Sequence, residues 1–208
     1  MIFITRVLVT FGSGSPSATW FIGLRAILLW LVIARSSLSS LWPFSLVFIP
    51  SVDEIYQENV TSKPYNFGGI EHEMEGQFRD GHFNGVATIV QAFFEIIKPN
   101  NAYFGEKDFQ QLQIVKKLAE IEKLPVNVVG CAIFREKDGL AMSSRNTRLT
   151  KEQRLASPLI YQVLSSISNL TKNLTLLEIY AFVKNKFDSN TLLDLEYFTI
   201  ANEETLRE

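Results

Sequence analysis

Between Gly85 and Val129 the hydrophobic period switches from helix to strand and back, and this alternation restricts the chain to an α/β fold. GVATIVQAFFEII, residues 85 to 97, places Val86, Ile89, Val90, Phe93, Phe94 and Ile97 at helical spacing. Lys98-Pro99-Asn100 ends that helix, because proline cannot continue it. Ala102-Tyr103-Phe104 then reads as a strand, 108–123 as a second helix, and VNVV, 126–129, as another strand. The second helix sets Leu112, Val115, Leu118 and Ile121 on one face. Upstream, LVFIPS reads as a short buried strand and VDEIYQEN as a helical turn or two. Helices between strands favour a mainly parallel sheet with helices on its faces. Ligands then bind beyond the carboxyl ends of the strands.

A chain of 208 residues can bury a sizeable core. Its formal net charge of −2 leaves no general basic face for nucleic acid. Cys131 is the only cysteine, which excludes an intramolecular disulfide and a cysteine-built zinc site and fits a reducing compartment.

The first 46 residues differ from the rest: they contain no Asp, Glu or Lys, and their only charges are Arg6, Arg25 and Arg35. RVLVTF reads as a strand, and the FGSGSPSA after it matches neither a Gly-Lys-Ser/Thr phosphate loop nor G-x-G-x-x-G. Trp20 to Ala34 is an apolar run broken by Gly23 and Arg25, and its 15 residues fall short of the ~20 a bilayer span takes. Three readings stand: sequence not native to the fold, a signal or anchor, or a buried βα unit.

Three polar clusters follow. GEKD, Gly105 to Asp108, falls where a strand turns into a helix. A helix start offers free N–H groups and partial positive charge; Lys107 adds a full charge, and the combination suits phosphate. Asp108 is placed to cap the helix. DGLAMSSRN, 138 to 146, sets Ser143, Ser144 and Arg145 side by side, two hydroxyls and a guanidinium able to clamp phosphate oxygens. After it, Thr150 and Gln153 form a capping box for a helix running through TKEQRLASPLIYQVL. FRDGHFNGV, 78 to 86, holds Arg79 and His82. Taken singly, the plainer reading of each cluster is a capped helix start, a polar loop and a structural histidine.

Taken together, GHFNGVATIV, FGEKDFQQL and DGLAMSSRN, in this order and spacing, resemble the pantothenate synthetase (pantoate–β-alanine ligase) family. VFIPSVDEIY and EYFTIANEETL extend the resemblance from Val47 to Glu208. It implies a Rossmann-like nucleotide-binding domain over 47–134 and a small α+β carboxyl-terminal domain over 135–208, after the aberrant apolar segment 1–46. It also implies a cytoplasmic homodimer that joins pantoate to β-alanine using ATP and Mg²⁺, through a pantoyl adenylate, without a membrane span or nucleic acid. By the match, Lys107 contacts the phosphates and Ser143, Ser144 and Arg145 close from their loop. Gly105 and Asp108 lie by the ribose, Gln111 holds pantoate, and Arg79 and His82 line the same cleft.

The departures carry their own expectation. The family's Pro-Thr-Met-Gly turn, its H-x-G-H and its Asn-Pro-x-Gln-Phe segment are absent, and the only histidines are His72 and His82. Arg79-Asp80-Gly81-His82 stands where family members read Arg-Pro-Gly-His. By the resemblance, Glu208 falls before the family's last strands. Codons for RAILLWL, read two nucleotides later, can spell the family's G-H-L-S-L-V, so a shifted reading frame is one expectation for the amino end. The chain is therefore expected to turn over slowly, or to be a binding remnant that keeps part of the cleft.

Overall fold

A computed structural model describes residues 3–10, 48, 50–55 and 61–208. The elements in chain order are β1 (Phe3–Thr10), α1 (Val52–Ile55), α2 (His82–Ile97), β2 (Asn101–Gly105), α3 (Phe109–Ile121), β3 (Asn127–Cys131), α4 (Lys151–Ala156), α5 (Pro158–Leu170), α6 (Leu176–Asp188) and β4 (Asp194–Asn202). They fall into two units, divided between Ala132 and Ile133, with β1 belonging to the second.

The first unit is built on the alternation in the sequence. β2 and β3 pair in parallel from Asn101↔Asn127 to Gly105↔Cys131. α2 begins at His82, three residues ahead of the expected start, because Gly81 takes a left-handed φ of 69° at its N-cap. It ends at Lys98, also left-handed, whose N–H donates to the Phe94 carbonyl at 2.9 Å before Pro99. Phe83, Val86, Ala87, Val90 and Phe94 of α2 form one core with Ile114, Val115 and Leu118 of α3, Ala102 of β2 and Phe67. Ile121, expected on the inner face of α3, lies at the helix end and is exposed. Tyr103 is 43% exposed, on the face of β2 opposite Ala102, which is buried in that core.

Of the strand expected at LVFIPS, Phe48, Pro50 and Ser51 are described, and the Phe48 ring meets Phe93 edge-on at 6.0 Å. Ser51 and Glu54 cap α1 reciprocally: the Ser51 N–H donates to the Glu54 carboxylate and the Glu54 N–H to Ser51 Oγ.

In the second unit β1 pairs antiparallel with β4, from Phe3↔Asn202 to Thr10↔Asp194, with a register shift between Leu8 and Val9. RVLVTF thus supplies a strand, but not one in the parallel sheet. The other readings of the amino segment, as signal, anchor, helix or shifted frame, concern 11–46 and lie outside the described residues. Among the described residues no helix is long and apolar enough to cross a membrane.

Thr150 and Gln153 form the expected capping box, with Gln153 N–H to Thr150 Oγ1 at 3.2 Å and Thr150 N–H to Gln153 Oε1 at 3.0 Å. The helix they start is divided in two at Ser157, because Pro158 brings no N–H and serves as the first residue of α5. A second box, Thr175 with Glu178, starts α6. Val163 and Ile167 of α5, Ile179, Val183 and Phe187 of α6, and Phe198 and Ile200 of β4 close the core of this unit.

Candidate functional site

In the first unit the polar residues gather at the carboxyl end of β2. Gly105 ends the strand in an extended conformation, Glu106–Asp108 make one 3-10 turn, and α3 starts at Phe109. Asp108 occupies the N-cap position of α3, yet its side chain makes no capping hydrogen bond. The 3-10 turn sets its backbone at φ −105°, ψ 60°, away from the extended geometry that aims a capping oxygen at the first turn. Its carboxylate instead meets Lys107 Nζ at 3.3 Å, with both side chains exposed, at 40% for Lys107 and 51% for Asp108. The opening turn of α3 is therefore left without a side-chain acceptor, and a lysine stands beside it.

Arg79 and His82 arrive on an irregular stretch ahead of α2. Arg79 Nη1 donates to Glu75 Oε1 at 2.7 Å, in a pair that is mostly buried. His82 is the first residue of α2; its N–H donates to the Arg79 carbonyl at 3.2 Å and its ring tilts against Phe83.

The two glutamines of FQQL separate. Gln111 is half-buried, and its amide makes no hydrogen bond among the described residues. Gln110, one position earlier and so about 100° around the helix, is fully buried and bonds to the stretch that carries Arg79. The doubled glutamine was the only signal for it in the sequence.

In the second unit Ser143 precedes a 3-10 turn, Ser144–Arg148, and its Oγ accepts from the Arg145 N–H at 3.2 Å. Ser144 and Arg145 are exposed. Beneath them is a network absent from the expected site. Asn146 Nδ2 donates to Glu136 Oε1 at 3.0 Å and to the Ala141 carbonyl at 3.1 Å. Arg154 of α4 donates to both Glu136 and Asp138. Hydrogen bonds from Asn146 and then Arg154 hold the Glu136 carboxyl below its usual range, and Arg154 does the same to Asp138. Arg135 stacks over the Tyr161 ring at 4.0 Å and donates to the Gly139 carbonyl.

In the first unit the start of α3 offers backbone N–H donors with Lys107 beside them; in the second the Ser143–Arg145 turn offers hydroxyls and a guanidinium. Among the described residues no three His, Cys, Asp or Glu side chains gather as a metal site. Free N–H groups with a lysine beside them suit the binding of an anionic group.

Parallel strands joined through a helix, with a polar site at the strand's carboxyl end and a separate small unit after it, define a Rossmann-like α/β protein with a small α+β carboxyl-terminal domain. The structure of pantothenate synthetase from Thermus thermophilus matches with a TM-score of 0.72 at 36% identity, over 78% of this chain and 59% of that one. A family model described as Pantoate-beta-alanine ligase matches residues 36–208. The pantothenate synthetase of Christiangramia forsetii is 48% identical over 81% of this chain and 58% of its own length. That of Flavobacterium psychrophilum is 45% identical over 77% of this chain and 57% of its own. The chain belongs to the pantoate–β-alanine ligase family. It spans less than two thirds of the length of these relatives. A further structural match, at TM-score 0.54 and 31% identity over 65% of this chain, is the Francisella tularensis pantoate–β-alanine ligase, complexed with beta-gamma ATP and β-alanine.

Proposed function

We propose that the chain binds ATP and pantoate and condenses pantoate with β-alanine, at a turnover well below that of a full-length family member. The observation that carries this reading is the uncapped start of α3, with Lys107 beside it at the carboxyl end of β2, in a chain of this family. A pantoate carboxylate oxygen attacks the α-phosphorus of ATP, the bond to the bridging oxygen breaks, and pyrophosphate leaves. The β-alanine amine then attacks the acyl carbon, AMP leaves, and the amine loses a proton. No bond to the enzyme forms, so positioning and electrostatics supply the rate.

In this reading Lys107 neutralises phosphate charge, with Ser143, Ser144 and Arg145 as further donors. Gly105 and Asp108 lie by the ribose, and Gln111, Arg79 and His82 hold pantoate. The β-alanine and ATP of the Francisella ligase support the substrate class. The resemblance brings Mg²⁺ with ATP; among the described residues no cluster of His, Cys, Asp or Glu side chains gathers to hold it. A homodimer and a cytoplasmic location belong to the same proposal and rest on the family alone.

Low turnover follows from the donors that are absent. The chain has only His72 and His82, with no H-x-G-H and no Asn-Pro-x-Gln-Phe. Losing one charge-stabilising donor costs about 10²–10³ in rate. The same absence favours a second reading, a binding remnant without turnover. Pantoate-dependent AMP formation by the purified 208-residue chain, with β-alanine and Mg²⁺ present, separates them. AMP at a rate about a hundredfold or more below that of a full-length relative supports the first reading. Binding without any AMP supports the second. A rate within tenfold of the relative contradicts the account of the missing donors.

A further inference from the structure

Gln110 is fully buried on α3, and its side chain makes three hydrogen bonds to backbone 35 to 40 residues back. Its Oε1 accepts from the Glu75 N–H at 3.1 Å, and its Nε2 donates to the carbonyls of Ile70 at 2.9 Å and Glu73 at 2.7 Å. These groups flank Met74, which is buried in the left-handed region at φ 46°. That conformation costs a residue with a β-carbon energy and persists only where its surroundings hold it. Gly76 closes the same bend, since a β-carbon there would land on the Glu71 carbonyl. The connection then continues: the residue whose N–H Gln110 receives, Glu75, accepts from Arg79 at 2.7 Å.

We propose that Gln110 is a positioning residue, which fixes the irregular stretch before α2 to α3 and thereby sets Arg79 for the carboxylate substrate. The substrate part rests on the reading above that Arg79 faces pantoate. An apolar side chain of the same size fills the volume but removes the acceptor facing the Glu75 N–H and the donor shared by the Ile70 and Glu73 carbonyls. Both sides of the bend then lose their anchor, and Glu75 no longer holds the Arg79 guanidinium at a set place. A misplacement of about 1 Å at such a group costs up to a hundredfold.

The test uses the full chain with Gln110→Met, Gln110→Glu, Arg79→Ala and the Gln110→Met/Arg79→Ala double variant. Calorimetry is expected to show pantoate binding weakened about ten- to a hundredfold by Gln110→Met, with ATP binding unchanged. The double variant should bind pantoate as Arg79→Ala does, because the two losses are one loss. Gln110→Glu turns a carboxylate oxygen toward the Ile70 and Glu73 carbonyls, acceptor against acceptor, and should weaken pantoate binding at least as much as Gln110→Met. Unchanged pantoate affinity in Gln110→Met, additive losses in the double variant, or unaltered pantoate binding in Gln110→Glu would each overturn the proposal. Amide exchange decides the anchoring without any ligand. In Gln110→Met the amides of Glu75 to Arg79 should exchange faster while those of α6 and β4 stay unchanged; an unchanged 75–79 stretch overturns the proposal. If the unaltered chain takes no pantoate, the functional reading of Arg79 falls, and exchange alone decides the part of Gln110.

Discussion

Arg154 Nη2 donates to Glu136 Oε2 at 2.8 Å, joining α4 to the segment under Ser143–Arg145 across 18 residues of chain. Glu136 in turn receives Asn146, so a single arginine on α4 stands behind the serine–arginine turn. Arg154→Met should therefore speed amide exchange of Asn146 and Leu149 severalfold and leave α6 and β4 as they are. The melting temperature should move little, since exposed ion pairs add little to overall stability. A large drop in melting temperature with uniform exchange would assign Arg154 to the fold and not to the turn.

The same clasp has a defined pH dependence. Glu136 and Asp138 both titrate below their usual range, from the hydrogen bonds of Asn146 and Arg154 to the first and of Arg154 to the second. A carboxylate lowered in the folded state gives stability that is fully present above its unfolded value, about 4, and is lost as pH falls through the lower folded one. Exchange-corrected protection of the 135–154 segment should stay constant from neutrality to about pH 5 and fall below about pH 4. Loosening between pH 8 and pH 6 would require another titrating group.

Two glycine substitutions should have opposite signs. Gly139 has φ +91°, and a β-carbon there would enter the Tyr161 ring that Arg135 covers. Gly139→Ala should destabilise the chain by about 1–3 kcal/mol. Gly85, inside α2, has nothing within 4 Å of an added β-carbon. Gly85→Ala should stabilise by about 0.5–1 kcal/mol. Urea midpoints measure both, and a matching sign would remove the distinction between the two sites.

The alternation from Gly85 to Val129 was legible because each element there obeys a local rule: period, proline stop, apolar strand. The Thr150 capping box was legible for the same reason, since it needs only residues three apart. Asp108 was misjudged as a cap because the 3-10 turn that redirects it depends on how Gly105 leaves the sheet. The continuous helix expected after Thr150 ignored Pro158, which restarts it. Gln110 and the Glu136–Arg154 pair act across 18 to 40 residues, and no local pattern marks such bonds. The antiparallel pairing of β1 with β4, strands at opposite ends of the chain, was invisible for the same reason.

The proposed site takes two ligands, with Lys107 serving ATP and Gln111 serving pantoate. Its most direct test is a crossed calorimetric titration of ATP and of pantoate against the unaltered chain, Lys107→Ala and Gln111→Ala. Loss of a charge-assisted contact of about 1.5–3 kcal/mol should weaken ATP binding to Lys107→Ala roughly ten- to 150-fold and leave pantoate binding as it was. Gln111→Ala should weaken pantoate and spare ATP. Failure of the unaltered chain to bind either ligand, or equal loss of both ligands in both variants, would contradict the account.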